Sequence, residues 1–373
     1  MKNVATNFAT EEKTETKMKR TFLLTSALLF MTVAQQTAWA DDGVDLDKYI
    51  AATVDNPYDV SGMLKNPTGT ENYGWSRNAN DAAAGYNKHN TEFDSSVYAG
   101  KGIESWYWSP VTNADLIWQT VDGLLPGTYV VSAYVVGQIY NDTSKKGQYG
   151  GGLWFMANDE RVAITQNKWQ RLSVTCTIKA GEQLKIGITA DGTNLNDWTS
   201  IAGVTVECQG MGEPEKVALS EDFDLTCVRG YSYADVLLKR NVASDGYTAL
   251  CLPFPVDSTT TAAYFSEVGE VTVVAQHGND YVVTTTPVKY IERGKTYVVK
   301  ATDGNRSTYS FDKVVVDMTA DTSASVDGVV LQGNFRQRDG MTGIYIMQTD
   351  GSTFHKRASV SSVKAYSGWV ELP

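Results

Sequence analysis

Cysteine, histidine and proline are scarce in this chain of 373 residues, which contains four, three and nine of them respectively. The histidines lie in three separate polar stretches and form no pair with metal-ligand spacing, which argues against a zinc site. No Gly-x-Ser-x-Gly motif frames a serine nucleophile. The sequence therefore predicts no catalytic residue, no metal and no cofactor. The three histidines are His89, His277 and His355.

Positive charge is also in short supply, because 32 basic residues face 43 acidic ones and the formal net charge is −11. Nucleic-acid binding depends on clustered Lys and Arg, so this balance argues against a nucleic-acid partner. Helical apolar periodicity is nearly absent. Beyond residue 40, no stretch is long and apolar enough to span a bilayer, so no transmembrane segment is predicted.

The first 40 residues have the pattern of a leader with a signal peptide. Lys19 and Arg20 precede the apolar run 21–33, and the segment closes on the small-x-small sequence Ala38-Trp39-Ala40. This order of basic, apolar and small residues is typical of secretion signals. Cleavage after Ala40 would lower the net charge from −11 to −13, since residues 1–40 carry five basic and three acidic groups. We predict an exported protein that is secreted, periplasmic or associated with the cell surface.

The remaining 333 residues exceed what one hydrophobic core usually covers, so two domains are expected. A short leader segment, residues 41–56, precedes the first domain, residues 57–209. The segment around residues 210–216 contains two glycines and one proline, a composition typical of linkers. The second domain then covers residues 217–373.

Both halves have the pattern of β-strands. Segments 128–136, 171–178 and 183–189 are rich in β-branched or alternating apolar residues, and Gly, Asn and Asp separate them. Short strands at such spacing predict an all-β fold with an N-terminal jelly-roll β-sandwich. Recurrent Asp-Gly turns in the second half predict a smaller antiparallel β-sandwich or barrel-like domain.

Export permits disulfides, and four cysteines allow three pairings. One pair within each domain is the simplest scheme, which would join Cys176 to Cys208 and Cys227 to Cys251. Free thiols buried in strands are the alternative, because cysteine packs well as a small apolar residue.

Tryptophan is concentrated in the first half, where seven of the nine lie between Trp75 and Trp198. Flat aromatic faces either fill a core or stack against sugars. In an extended strand Trp106 and Trp108 would share one face, with Tyr107 on the other. One interpretation buries both tryptophans and leaves Tyr107 half exposed. The other places at least one of them at a loop end as a sugar platform, with Glu104 accepting from a sugar hydroxyl.

Other aromatic residues extend this hypothesis. Trp75 and Arg77 lie in a loop rich in Gly and Asn, and Tyr140 and Tyr149 bracket a polar loop that could line the same end. Trp118 and Trp169 fall within strand patterns and are expected in the core, whereas Trp154 is ambiguous. The candidate ligand-binding residues are therefore Trp75, Arg77, Glu104, Trp106, Trp108, Tyr140 and Tyr149.

Four segments of the first domain resemble the galactose-binding-like jelly rolls of secreted Bacteroidota proteins, a group that includes carbohydrate-binding modules. They are residues 59–75, 104–106, 118–129 and 184–199. The family's closing Asp-Asn pair is replaced by Ser200-Ile201-Ala202-Gly203, so no calcium or ligand-binding aspartate is carried over to this strand. In the second domain, residues 249–254 and 363–373 resemble a C-terminal β module common in Bacteroidota surface proteins.

The resemblance and the aromatic residues together predict a non-catalytic exported protein that binds a glycan at one end of the jelly roll. A structural or adhesive surface protein that binds another protein is the first alternative. The second is a glycoside hydrolase with an unrecognised pair of carboxylates, since such an enzyme needs only two.

Overall fold

The computed structural model describes residues 44–69, 73–78, 85–88, 97–222, 231–304, 306–326 and 328–371. This part of the chain is almost entirely β, which confirms the predicted fold class. Its helical elements are α1 (Leu46–Ile50), α2 (Ser258–Tyr264) and one 3₁₀ turn at Ser61–Met63. None of the described helices is both long and apolar enough to cross a membrane.

Two antiparallel sheets form the first half. One has the strand order β3-β4-β11-β6-β9, with β1 beside β11, and the other has the order β2-β5-β10-β7-β8. The strands are β1 (Tyr58–Asp59), β2 (Ser76–Arg77), β3 (Gly85–Lys88), β4 (Lys101–Trp106), β5 (Ala114–Val121), β6 (Gly127–Gln138), β7 (Leu153–Ala157), β8 (Glu160–Ala163), β9 (Gln170–Ile178), β10 (Leu184–Ala190) and β11 (Trp198–Met211).

The chain crosses from one sheet to the other at almost every connection between β4 and β11, which is the winding of a jelly roll. Strand β9 shows why this sequence forms a sandwich, since its buried and exposed residues alternate along most of its length. The buried residues of both sheets meet in one core, which confirms the predicted N-terminal jelly-roll sandwich.

Residues 44–52 belong to this core, although they were predicted to form a separate leader segment. Tyr49 of α1 is fully buried, and its hydroxyl lies 2.5 Å from that of Tyr129 on β6. The Tyr49 hydroxyl also accepts from the backbone N–H of Leu125. A buried phenol needs such partners, and α1 brings Tyr49 to them.

The predicted linker 210–216 is mostly strand. Strand β11 runs to Met211 and β12 (Glu215–Ser220) begins four residues later, so only residues 212–214 lie outside strands. The long β11 is held by eleven paired positions on β6, which explains why its glycine-rich end stays extended.

The second half contains a three-stranded sheet, a nine-stranded sheet and a two-stranded sheet, and it includes one departure from the predicted antiparallel arrangement. Strand β12 runs parallel to β13, whereas β13 and β18 are antiparallel. The strands are β12, β13 (Tyr231–Lys239), β14 (Thr248–Cys251), β15 (Phe265–His277), β16 (Asp280–Pro287), β17 (Thr296–Ala301), β18 (Thr308–Asp317), β19 (Ser323–Val326), β20 (Val329–Asn334), β21 (Arg338–Thr342), β22 (Tyr345–Met347), β23 (Thr353–Lys356), β24 (Ser359–Val363) and β25 (Ser367–Glu371).

The sheets of the second half have the orders β12-β13-β18, β14-β17-β15-β16-β23-β22-β25-β20-β19 and β21-β24. Their buried residues form cores of their own. Tyr233 of β13 and Val315 of β18 pack instead into the core of the first half. The division into two domains at residues 210–216 stays a prediction.

The predicted disulfide between Cys176 and Cys208 is wrong, because both thiols are free and buried. The register gives the reason. Cys176 of β9 and Cys208 of β11 both lie opposite Tyr129, one on each side of β6. Two strand spacings separate them by about 10 Å, beyond the reach of a disulfide. Cys251 is also free and buried, and Cys227 lies outside the described residues.

Candidate functional site

Three loops meet at one end of the jelly roll. They connect β4 to β5 (residues 107–113), β6 to β7 (residues 139–152) and β10 to β11 (residues 191–197). The register places their strand ends side by side, since Trp198 pairs with both Trp106 and Gln138. In the facing sheet, Ala190 likewise pairs with Ala114 and Leu153. Loops at the end of a rigid sandwich are a common place for binding sites.

Asp197 ties these loops together. It is 3% exposed, and its carboxylate accepts the backbone N–H groups of Tyr140 at 2.6 Å and Asn141 at 2.9 Å. Its backbone oxygen accepts the N–H of Tyr107 at 2.8 Å. A single buried aspartate therefore joins all three loops, and charge-assisted hydrogen bonds of this kind are strong.

Two buried asparagines reinforce the same junction. Asn194 donates to the carbonyl of Val111, and its Oδ1 accepts from the side chain of Asn196. Asn196 in turn accepts from Gly150 and donates to Gly151. The loops are thus fixed by side-chain amides, which can donate and accept at once.

Glu104 and Trp106 point to the outer face of the first sheet, away from the core. Glu104 is 5% exposed, and its Oε2 accepts the indole N–H groups of Trp106 at 2.5 Å and of Trp198 at 2.9 Å. The role of Glu104 as a sugar-hydroxyl acceptor stays a prediction, and one of its two carboxylate oxygens already accepts two indole N–H groups. Glu104 fixes the orientation of Trp106.

Trp108 differs from its neighbours because β4 ends at Trp106. Tyr107 lies in the core, and Ser105 donates to its hydroxyl. The interpretation that buried both tryptophans and left Tyr107 half exposed is therefore wrong. Trp108 is 81% exposed, which makes it the most exposed large apolar side chain among the described residues. The Asn141 side chain donates to the carbonyl of Tyr107 at 2.7 Å, which fixes the backbone immediately before Trp108.

Tyr140 lies beside Trp106, with the two rings 4.4 Å apart and nearly perpendicular. The ammonium of Lys146 lies 4.0 Å from the centre of the Tyr140 ring, so one face of this ring is covered by a cation. Tyr149 is at the same end but packs partly against the core, and burial raises the pKa of its hydroxyl. The Tyr140 ring therefore contacts Trp106, whereas the Tyr149 ring packs beneath the loop against the core.

Trp75 and Arg77 lie elsewhere. Strand β2 pairs with the middle of β5, where Ser76 faces Trp118 and Arg77 faces Ile117. The indole of Trp75 donates to the carbonyl of Asn66 and its ring packs partly against the core. These two candidates belong to the edge of the second sheet, not to the loop end.

An aromatic cluster continues from Trp106 across the outer face of the first sheet. Trp169 is buried there, as predicted, but outside the main core. Its ring lies 5.2 Å from that of Tyr98, which stacks on Tyr134 at 4.9 Å. Strand β6 is consequently covered on both faces, which explains its nearly continuous apolar sequence.

Trp118 was expected in the core but lies half-buried on the outer face of the second sheet, with Lys185 over its ring. It is opposite Gly187, where no side chain competes for space. Trp154 is also half-buried, and its indole donates to Asp191 at 2.9 Å. The Thr193 hydroxyl and then the Trp154 indole hold the pKa of Asp191 below its ordinary value.

Apolar ring area and polar groups occur together at the loop end. Trp108 and part of Trp106 offer apolar ring area, and Asn141 and Lys146 offer polar groups nearby. The two buried carboxylates, Glu104 and Asp197, already accept N–H groups. Among the described residues, no group of three His, Cys, Asp or Glu side chains is arranged around a metal ion.

Sequence reasoning missed Asn194, Asn196 and Asp197, which build the site without touching solvent. The signal was present in the segment 191–197, Asp-Gly-Thr-Asn-Leu-Asn-Asp, which is dense in side chains that hydrogen-bond to backbone. Its position between two apolar strands marks it as a structured turn.

Comparisons with known proteins give the following. No protein-family model and no curated protein matches the chain. Among solved structures, a cyclase from Fischerella sp. TAU is 11% identical, with 42% of this chain and 100% of that chain covered and a TM-score of 0.32. The xylan-binding domain of a Paenibacillus barcinonensis protein is 9% identical, and the match covers 40% of this chain and 96% of that domain with a TM-score of 0.27.

A third similar structure is a carbohydrate-binding module in complex with β-1,4-galactotriose. It is 17% identical, with 39% of this chain and 96% of that chain covered and a TM-score of 0.26. At such low identities and TM-scores, these similarities carry no argument about function.

Proposed function

We propose that the chain is a non-catalytic carbohydrate-binding protein that holds its ligand at the loop end of the jelly roll. The observation that carries the proposal is Trp108, a tryptophan 81% exposed on a rigid base. The exposed apolar surface of a fixed indole ring is in contact with water, which is unfavourable. A ligand with a flat apolar face would remove that surface from water. The C–H face of a sugar ring has that shape.

The surroundings of Trp108 support a sugar more than a purely apolar ligand. Lys146 and Asn141 are exposed on the neighbouring loop, and the Asn141 amide also donates to the carbonyl of Tyr107. Sugar recognition combines an apolar platform with a few placed hydrogen-bonding groups. Trp106, held by Glu104 and bordered by Tyr140, supplies a second aromatic ring at the same end of the jelly roll.

Rigidity of the site also favours binding. The hydrogen bonds of Asp197, Asn194 and Asn196 fix the three loops before any ligand arrives. A site that is ordered in advance loses less conformational entropy on binding. This matters for sugars, whose contacts are individually weak.

A glycan-array screen tests the proposal. The unmodified protein should bind at least one class of glycan, and Trp108→Ala should lose most of the signal. Trp106→Ala should weaken it, whereas Tyr290→Ala, which removes a half-exposed tyrosine in the second half of the chain, should leave it unchanged. Absence of binding to every glycan, or equal binding by Trp108→Ala, would overturn the proposal.

A protein partner is the second candidate, and Leu195 favours it. This side chain is 55% exposed on the loop that Asp197 joins to Trp108, so two large apolar groups face solvent at one end. Tryptophan is also a frequent anchor of protein interfaces. A partner that co-purifies with the protein and is released by both Trp108→Ala and Leu195→Ala would support this candidate.

A further inference from the structure

One cation at the loop end has no acidic partner in the part of the chain that the structure describes. Lys146 lies on the loop 139–152, and its ammonium is 4.0 Å from the centre of the Tyr140 ring. Its neighbour Lys145 differs, because the ammonium of Lys145 lies 3.5 Å from the carboxylate of Asp142. The loop therefore presents one positive charge that no described carboxylate neutralises.

The carboxylates around Lys146 are occupied by other donors. Those of the three loops and of the adjoining strand β4 each accept hydrogen bonds from backbone N–H groups, hydroxyl groups or indole rings. They are Asp142, Asp191, Asp197 and Glu104. A carboxylate that already accepts such bonds gains little by turning to Lys146. The ammonium is thus left for a partner from outside the protein.

The backbone that carries Lys146 is fixed on both sides. The N–H of Gly147 donates to the carbonyl of Ile139 at 2.8 Å, and the N–H of Gln148 donates to the carbonyl of Lys145 at 2.9 Å. The side chain of Lys146 itself is exposed. A ligand can therefore reach the ammonium, whose attachment point is ordered before binding.

The ammonium is continuous with the aromatic rings of the proposed sugar site. The Tyr140 ring contacts the ammonium of Lys146 and also the ring of Trp106, whose centre is 4.4 Å away. The cation and the indole thus lie against the same phenol ring. A sugar that stacks on an aromatic ring here can direct one of its substituents toward the ammonium.

We propose that the loop end binds an acidic glycan, in which a carboxylate or sulfate group on the sugar pairs with Lys146; this inference rests on the proposed function. A lysine ammonium is a compact cation with three N–H donors. Anionic oxygens accept strong, charge-assisted hydrogen bonds from such a group. The aromatic rings hold the apolar face of the sugar, and the cation selects those glycans that carry a negative group.

This selectivity comes from one contact and not from the general charge of the protein. The chain carries a formal net charge of −11, and the three loops contain two lysines and three aspartates. Exposed charges farther apart than about 8 Å are largely screened at physiological ionic strength. Net charge alone predicts a weak preference for neutral glycans, so a preference for acidic ones is diagnostic of a local cation.

Isothermal titration of the full chain with matched pairs of polysaccharides tests the inference. One pair is alginate and carboxyl-reduced alginate, and the other is dextran sulfate and dextran. We expect the protein to bind at least one acidic member about 10-fold or more tightly than its neutral counterpart, because hydrogen bonds to charged groups are the stronger ones. The pair that shows the preference tells whether the group is a carboxylate or a sulfate.

Three variants assign the preference to Lys146. Lys146→Gln should weaken binding of the acidic member about 10-fold and leave binding of the neutral member unchanged. Lys146→Arg keeps the cation and should keep the preference. Lys145→Gln is the matched control, because it removes the same charge from the next residue, and it should bind like the unmodified protein.

Absence of a preference in both pairs would overturn the inference, and so would an equal loss of affinity in Lys146→Gln and Lys145→Gln. In either case, binding of neutral glycans on the array that depends on Trp108 would leave the proposed function standing. Absence of binding to every glycan, in these titrations and on the array, would overturn both.

Discussion

Replacing Asp197 with alanine should disconnect the loop end of the jelly roll. The carboxylate of Asp197 accepts two backbone N–H groups of the 139–152 loop at 2.6 and 2.9 Å, and the residue is 3% exposed. Alanine keeps the backbone contacts of residue 197 with Tyr107 and Gln138 but removes both acceptors. The N–H groups of Tyr140 and Asn141 would lose their partners.

The expected cost follows from these two hydrogen bonds. A hydrogen bond to a charged group contributes about 1.5–3 kcal/mol. Asn141 is exposed, so water can replace part of the second bond. The free energy of unfolding should therefore fall by about 3 kcal/mol. Asn in place of Asp197 keeps one acceptor oxygen, and we expect about half of that loss.

Urea denaturation measures this loss, and amide hydrogen exchange locates it. The amides of Tyr140 and Asn141 should exchange faster in Asp197→Ala than in the unmodified protein. Asp159→Ala is the matched control, because Asp159 is exposed in the turn between β7 and β8 and its removal should cost less than about 0.5 kcal/mol. A loss below about 1 kcal/mol in Asp197→Ala would refute the role assigned to this carboxylate.

Three further predictions concern the framework. Hydrogen bonds from the backbone and then the hydroxyl of Thr260 lower the pKa of Asp257. The ionised carboxylate therefore stabilises the folded state, and this stabilisation is lost as pH falls through the lowered pKa. Melting temperatures measured between about pH 5 and 2 should fall less steeply for Asp257→Asn than for the unmodified protein. Burial raises the pKa of the Cys176 thiol to about 11 and also raises the pKa of the Cys208 thiol. Neither thiol should therefore react with a thiol reagent before the protein unfolds. A disulfide-linked peptide containing residues 176 and 208 in non-reducing mass spectrometry would contradict the register. Gly187→Ala should cost about 3 kcal/mol in urea denaturation, because its Cβ would overlap a carbonyl oxygen of β5, and a stable Gly187→Ala protein would contradict that packing.

Strand patterns predicted the jelly roll because the apolar residues of its strands are buried, alternately along β9 and almost continuously along β6. The segments 128–136 and 171–178 fall within β6 and β9. The disulfide prediction failed because it used sequence position alone. Only the register shows that Cys176 and Cys208 flank the same residue on β6.

Several of the residues chosen from the sequence lie at the loop end, whose role in binding stays a proposal. The choice of Trp106 and Trp108 followed from aromatic spacing, but the end of β4 at Trp106 decides which of them is exposed, and no local pattern marks that end. Glu104 was assigned a role toward solvent because a carboxylate usually faces water. Its two indole donors come from residues 106 and 198, and the second pairing is set by the register of β4 with β11.

The most direct measurement is the affinity of Trp108→Ala for a glycan that the unmodified protein binds, determined by isothermal titration. One face of the ring is about half of the 150–250 Å² that an aromatic side chain buries, which corresponds to about 2 kcal/mol. The proposed function therefore predicts a rise in Kd of about 30-fold, with an unchanged melting temperature. An unchanged Kd in Trp108→Ala would contradict it.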